Sequence, residues 1–580
     1  MVVNKTTVFI TSLTRPSSLP ASSNVHIATM RASAPHARAR TRTHLVLMRE
    51  PEIARRRAST LARATLPASS PSAPKAIESA IAAAPWRGGL EPAPEISPTS
   101  ARVALGSIPS ECAGAVYRCG PGRSRLGATP YAHWFDGDGY VARVTLAAST
   151  NTATAEGKYV KTTRYEKQRA SDGGSGWEGD VGRSGVAVRG AWTQANGILR
   201  NLGKFPTNPA NTSIMVRDGK VLALCEGGAP VEVDARTLET VGEVVFGDEL
   251  PMGFSAHSKR DDRDGTVYTW GLKKPPFIGI GVGKIDAKGK VTGSVDIPFP
   301  GAPEFTLLHD CAMSENYLTF FICPWILPPG NIAGALSGLK SFGHSFEWSD
   351  ERDTWMVIMR KSDLSVVHAK YIPRFSSYHV CDSYENGDEL SVLVCKLRGD
   401  RAGLEKNFAN MYDAKWSSRH YNNLHEIKVD VKTGRVLSDE PVIPPNADGE
   451  KDLSKMIGME FPAVSPQTKS RRKPKYVYTL ANTDGEHGYF DCLQKLNLET
   501  RTAETRMSAS GHFPHEAEFI PKANSTDEDA GYLVHFEYDA RRRAANVVIV
   551  DAQNFTGDAV AVIELPFLVP YTFHGAFVPA

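Results

Sequence analysis

The stretch SSYHVCDSYENGDELSVLVC, residues 376–395, places a histidine, a turn signal and a β run in immediate succession. Asn386-Gly387 between acidic residues is tight-turn chemistry, because both residue types accept the positive φ that such turns need. Glu389–Cys395 is short and rich in Val and Leu, a length and composition that fit a buried strand. The same texture recurs from about residue 100 onward. Runs at Tyr159–Thr163, Lys220–Cys225, Thr266–Trp270, Trp355–Met359, Tyr476–Leu480 and Asn546–Val550 are bounded by Gly, Asp, Asn and Pro. Further turn signals are DGDG at 136–139 and RDG at 217–219. Many short strands at regular spacing predict an all-β sandwich, barrel or propeller. No clean repeat of the WD type is present. A propeller with diverged blades is the β architecture that accommodates so long a chain as one domain.

At 580 residues the chain exceeds one ordinary compact core. Its 41% hydrophobic and 23% charged residues are those of a globular protein. The net charge of +3 conceals an asymmetry: residues 1–75 hold 12 Lys and Arg but two acids, leaving 55 basic against 62 acidic residues in 76–580. The body is therefore mildly acidic, without the basic footprint that a nucleic-acid partner requires. Residues 1–80 are basic, rich in Ser, Thr, Ala and Pro, and free of acids before Glu50. That composition predicts a transit peptide-like disordered segment, and hence a plastid (chloroplast) location; a cytoplasmic protein with a basic tail is the alternative. The folded domain is expected over 81–580, with its first structure near Leu90.

Eight cysteines without a CxxC pair read as free, mostly buried thiols. The block 320–342, FFICPWILPPGNIAGALSGLKSF, is more apolar than a surface loop should be. It is either a peripheral membrane contact that collects an apolar substrate or a loop and short helix packed on a sheet. HFPHE at 512–516 has the wrong order for a zinc HExxH and reads as a strand end. GIGVGK at 279–284 lacks the phosphate-loop spacing and reads as strand or turn. DGDG lacks the other ligands of a calcium loop and reads as a hairpin turn.

Four histidines lie in distinctive contexts: His257 in FSAHSKRDD, His309 in TLLHDCAMSENY, His379 in SSYHVCDSYENGD and His574 in PYTFHGAFVP. They are separated by 52, 70 and 195 residues, too far for a local metal motif. A propeller would remove that objection, since strands of different blades converge on one axis. Neutral imidazoles suit Fe, Cu and Zn, and carboxylates on their far nitrogens would fix the tautomers; Glu226, Glu460 and Glu516 are available.

These contexts resemble the carotenoid oxygenase family. GSIPSECAGAVYRCGPG (106–122) is similar to its opening segment, with Cys119 where the family has Asn. HWFDGDGYV (133–141) and NTSIMVRDGKVLALCEGGAPVEVDARTLETVG (211–242) follow. AHSKRDD, LHDCAMSENY, YHVCDSYENGD, EFPAV, FPHEAEFIP and FHG then come in family order, so the resemblance covers about residues 95–580. It implies a seven-bladed β-propeller with iron on the axis and a few helices forming a dome over one face. It implies Fe(2+) held by His257, His309, His379 and His574, supported by Glu226, Glu460 and Glu516. Glu518 and Ala517 make the Glu516 position the least regular of the three. The implied activity is oxidative cleavage of a conjugated C=C bond in a carotenoid or apocarotenoid, with an apolar polyene and O2 as substrates. Alternatives are a stilbene-cleaving dioxygenase, the isomerohydrolase of retinoid metabolism, and a catalytically silent propeller that binds an apocarotenoid or a protein partner. The stilbene-cleaving relatives use a Tyr and a Lys to activate a phenol. Here Ala132 precedes His133 with Tyr131 one step off, and Arg164 falls at the Lys position between Lys161 and Lys167.

Overall fold

In the computed structural model, the described residues are 84–580 apart from 124, 127–128, 132, 167–207, 252, 274–278, 301–305, 307, 338–339, 342, 398–410, 412–421, 445–457 and 484–487. The predicted segment 1–80 and Lys167 lie outside them.

The chain forms antiparallel sheets in which most strands pair with the next in sequence. Turn chemistry sets their registers. Asp218 and Gly219 both have positive φ, at 52° and 74°, and join Ser213–Arg217 to Lys220–Leu224 with Arg217 opposite Lys220. Gly387, at 61°, does the same between Val380–Asn386 and Glu389–Leu397. Five four-stranded sheets arise in this way, starting at Ser213, Lys259, Ala312, Val380 and Gly458. Nine further strands form one larger sheet, and two small two-stranded ribbons, Trp325–Ile326 with Glu347–Trp348 and Arg125–Leu126 with Thr129–Pro130, complete the described strands. The first strands of the sheets touch one another in series. Ala312–Met313 meets Val380–Asn386, which meets Gly458–Ala463, then His512–Pro521, then His574–Pro579, which returns to Ser213–Arg217. This is a propeller-like ring with the first strands innermost.

The family resemblance implies seven blades, whereas five separate four-stranded sheets are seen. The cause is the strand Ile96–Gly106. Its first half pairs with Thr152–Tyr159 and its second half with Ala561–Glu564, so two groups of strands fuse into the nine-stranded sheet. The core lies between the sheets. One cluster packs Val116, Val144 and Phe536 with Val547 and Ile563, all fully buried. Others repeat this pattern around the ring, for example Leu318, Phe320 and Val357, or Val392, Val394 and Ile427. The described helical structure includes Pro329–Ser337 and short 3-10 turns such as Pro85–Leu90, whose Trp86 is buried. No described helix is long and apolar enough to cross a membrane. All eight cysteines are free, and all but Cys225 are buried.

Two sequence expectations are corrected. The strand expected at Tyr159–Thr163 is Thr152–Tyr159. Its Ala, Glu, Lys and Gly have weak β propensity, but pairing with Gly139–Ala147 on one side and Ile96–Gly106 on the other overrides that preference. DGDG is not a hairpin turn either. It is a buried approach to the strand Gly139–Ala147, with Asp136 and Asp138 both enclosed. Here glycine is required by space: a Cβ on Gly139 would lie 2.1 Å from the carbonyl oxygen of Ala210. Substituting Gly139→Ala should therefore destabilise by about 1–3 kcal/mol through overpacking. At Gly219 nothing lies within 4 Å of such a Cβ and only the positive φ resists, so Gly219→Ala should cost about 1 kcal/mol. Denaturation midpoints of the two variants check that order.

Candidate metal centre

The four singled-out histidines are delivered by the inner ends of different sheets. His257 lies in the turn that precedes Lys259–Arg260, His309 in the irregular segment that precedes Ala312–Met313, His379 directly precedes Val380–Asn386, and His574 begins His574–Pro579. The structure brings all four together, each offering one nitrogen within 4.8 Å of the others. The ring centroids of His257 lie 4.3, 5.2 and 4.4 Å from those of His309, His379 and His574.

The far nitrogens identify which atoms face inward. His309 Nδ1 is 2.7 Å from Glu226 Oε1, His379 Nδ1 is 2.5 Å from Glu460 Oε2, and His574 Nδ1 is 2.8 Å from Glu516 Oε1. A proton on Nδ1 directed at a carboxylate leaves Nε2 with its lone pair free to bind a cation. Nε2 of both His257 and His379 is buried without a hydrogen-bond partner. Orphaned, buried, mutually facing imidazole nitrogens fit a divalent transition metal, and four neutral donors suit iron, copper or zinc.

Electrostatics favour the same state. Burial, with the neighbouring histidines and Lys259, holds His257 well below the usual imidazole range. Burial also lowers His574, against the pull of Glu516. His379 is the exception: burial would depress it, but the Glu460 carboxylate overrides burial and raises it. Glu226 would be raised by burial yet is lowered by His309. Glu516, also penalised by burial, is held down to about 2 by His574 and Arg118.

Irregular backbone aims these groups. The ladder slips between Val380 and Asp382, between Glu460 and Ala463, and between Pro514 and Ala517. Each slip is a bulge that redirects side chains beside a histidine or its glutamate. Phe461 has a φ of 52°, unusual for a bulky residue. That conformation lets Glu460 reach His379 while the Phe461 ring packs 5.0 Å from His379 and 5.3 Å from His574.

Several contributors, Arg118 and the aromatic rings among them, carry no signal in the sequence, and Cys119 is marked there only as a departure from the family pattern. Arg118, 1% exposed, donates to Glu516 at 2.9 Å and to the Phe573 carbonyl at 3.1 Å, bracing the His574 strand. Cys119 stands opposite His574 in the ladder, and its carbonyl accepts from Phe573 N. A cysteine is therefore compatible with this position, whose backbone does the work. Tyr378, Phe135 and Phe573 form an aromatic wall with Phe461: His309 to Tyr378 is 5.4 Å, Phe135 to Tyr378 6.1 Å and Phe135 to Phe573 5.5 Å. None of these rings lines the polar cavity of about 680 Å³ that also reaches His257 and His574, alongside Lys259, Asp382, Glu516 and Glu518. His515 is buried against Thr572 and stands apart from the histidine cluster.

The residues relevant to phenol activation are settled by their partners. The Tyr131 hydroxyl donates to Asp138 at 2.6 Å, and Arg123 pairs with the same carboxylate. Arg164 donates to the Asp136 carbonyl and lies 5.4 Å from the Tyr131 ring. Lys161 faces Glu239 at 3.2 Å.

The model of the retinal pigment epithelial membrane protein family matches residues 90–579. The chain belongs to the carotenoid oxygenase family. Members of this family are metal-dependent. The chain is 27% identical to the carotenoid 9,10(9',10')-cleavage dioxygenase of Crocus sativus over 500 residues, covering 82% of this chain and 85% of that one. It is 28% identical to the apocarotenoid-15,15'-oxygenase of a Synechocystis strain over 482 residues, covering 81% and 91%. The fold superposes on the crystal structure of cobalt-substituted Synechocystis ACO with a TM-score of 0.72 at 24% identity, covering 86% of this chain and 98% of that one. Some plant relatives are named chloroplastic and others are not.

Two outcomes follow from this geometry. His309→Ala and His574→Ala should purify folded but with bound metal largely lost, and Glu460→Gln should weaken metal binding about 10–100-fold, as read by metal analysis and chelator competition. Glu516 has a folded-state pKa of about 2, below its ordinary 4.5, so its stabilising contribution is full above pH 4.5 and is lost as pH falls toward 2. Glu516→Gln should flatten that part of the acid-unfolding profile.

Proposed function

We propose that this protein is a non-haem iron(II) dioxygenase that cleaves a conjugated C=C bond of a carotenoid or apocarotenoid, giving two carbonyl products. The convergence of four imidazole nitrogens within 4.8 Å, in a chain of this family, carries the reading. His257, His309, His379 and His574 would hold the iron, and Glu226, Glu460 and Glu516 would fix three of the rings. Iron(II) held by these four histidines would supply activation of dioxygen. The protein's own part is to orient and exclude. Phe135, Tyr378, Phe461 and Phe573 give flat apolar walls beside the histidines, where a polyene can lie and water is disfavoured.

The polyene reading is supported over stilbene cleavage by the commitment of Tyr131 to Asp138. Arg164, buried beside it, is a poor proton donor or acceptor at neutral pH. Neither residue is arranged to polarise a phenol. A silent binding propeller would have no use for the buried, unpartnered Nε2 atoms of His257 and His379, each of which costs desolvation energy.

In this reading the nine-stranded sheet supplies two blades, so that seven surround the axis. Residues 1–80 are a transit segment directing the domain 81–580 to a plastid. The helix Pro329–Ser337, with half-buried Trp325 and Ile326 before it, belongs to a dome and an apolar patch through which an apolar substrate could enter from a membrane surface. The test is incubation of purified, iron-loaded protein with a panel of carotenoids, apocarotenals and resveratrol, with products sized by mass spectrometry. Paired carbonyl fragments from a polyene, with resveratrol intact, are expected. Robust stilbene cleavage, or no cleavage by protein carrying one iron per chain, would overturn the assignment.

A further inference from the structure

One imidazole differs from the other three. His309, His379 and His574 each have a glutamate within 2.8 Å of Nδ1, whereas His257 has Asp310 at 3.8 Å, beyond a hydrogen bond. Asp310 is 2% exposed at its side chain, and its two oxygens are engaged on three separate segments. Oδ1 takes Lys259 Nζ at 2.7 Å and the Cys311 N–H at 2.7 Å, while Oδ2 takes the Val380 N–H at 2.8 Å. Lys259 follows His257 by two positions, Cys311 follows His309 by two, and Val380 follows His379 by one. One buried carboxylate thus clamps the segments that deliver three of the four imidazoles. A second link runs alongside it: the Ser255 hydroxyl accepts from His257 N at 3.0 Å and donates to the His309 carbonyl at 3.4 Å.

Resting on the four-histidine reading, we infer that Asp310 is a positioning residue of the metal centre. Its carboxylate, fixed by Lys259, sets the placement of His257 relative to His309 and His379, and its charge cancels the ammonium that would otherwise face the cation site. Lys259 and His257 line the same polar cavity, so an unpaired Lys259 would oppose a dication bound at the histidines. The three glutamates act on their rings directly. Asp310 acts one step removed, through backbone N–H groups and through Lys259.

Cobalt(II) binding to wild type, Asp310→Asn, Lys259→Met and the double variant tests this, with affinity read by chelator competition and geometry by the visible cobalt spectrum. Asp310→Asn keeps the volume and an acceptor for Val380 but removes the charge. It should bind cobalt about 10–100-fold more weakly with a shifted spectrum, while the double variant regains part of the loss because no ammonium is stranded. A lower melting temperature with wild-type affinity and spectrum would make Asp310 merely structural and overturn the inference. A double variant no better than Asp310→Asn would overturn the charge-cancelling role. Should Asp310→Asn fail to fold, the uncharged double variant is the comparison: a shifted spectrum and weaker binding support the inference, and wild-type values overturn it. His309→Ala in the same titration separates the two readings, since wild-type affinity there would sink the four-histidine site itself and this inference with it.

Discussion

Everything in this fold answers to one requirement: four imidazole nitrogens must face one another at a buried point. Left alone, such an arrangement is unfavourable, because each nitrogen gives up water and finds no proton donor in exchange. It is tolerable only if a cation fills the centre and if the outer nitrogens are anchored so that the rings cannot rotate away. The ring of first strands meets the geometric half of this demand. It carries His257, His309, His379 and His574 from segments far apart in sequence to one place. The glutamates meet the electrostatic half for three of the rings, His309, His379 and His574, since their negative charge would offset a cation's across each of these.

The surroundings of the cluster divide by polarity. Aromatic rings from Phe135, Tyr378, Phe461 and Phe573 crowd it from one set of segments. Charged groups including Lys259, Glu518 and Lys469 line a cavity that reaches it from another. The polar, water-accessible space therefore reaches the centre on a side that these rings do not line. Glu518 shows the tension on the polar side. Burial and the neighbouring Glu516 push it up to about 7, while Arg118 lies within 3.6 Å.

Much of this was legible in the sequence, for identifiable reasons. Gly387 and Asp218-Gly219 state their turns because few residues take positive φ, and the runs they flank became strands. The four histidines could be named from their contexts, but spacing could not have joined them, since convergence is a property of the closed ring. Glu226, Glu460 and Glu516 were named in the same way, and all three lie against Nδ1 atoms. What escaped was whatever depends on direction. Asp310 sits beside His309 in the sequence, yet nothing there says that it faces Lys259 and Val380. Phe461 carries no mark of its positive φ. Nor does the sequence show that one long strand, Ile96–Gly106, has two partners and joins two groups of strands into one sheet, because a pattern of apolar residues does not record how many neighbours a strand has.

That same strand has a bearing on the order of events during synthesis. Arg102 to Gly106 pair with Ala561–Glu564, and Arg102 bonds to Glu564, 462 residues away. The ring therefore stays open while most of the chain is made, with an unpaired strand edge exposed at its beginning. His574 comes later still, so a nascent chain can assemble three of the four imidazoles but not the set. Closure of the sheet and completion of the histidine set both wait for residues beyond 560. Contacts of such long range form slowly, and until they form the early strands need protection from neighbours other than their own.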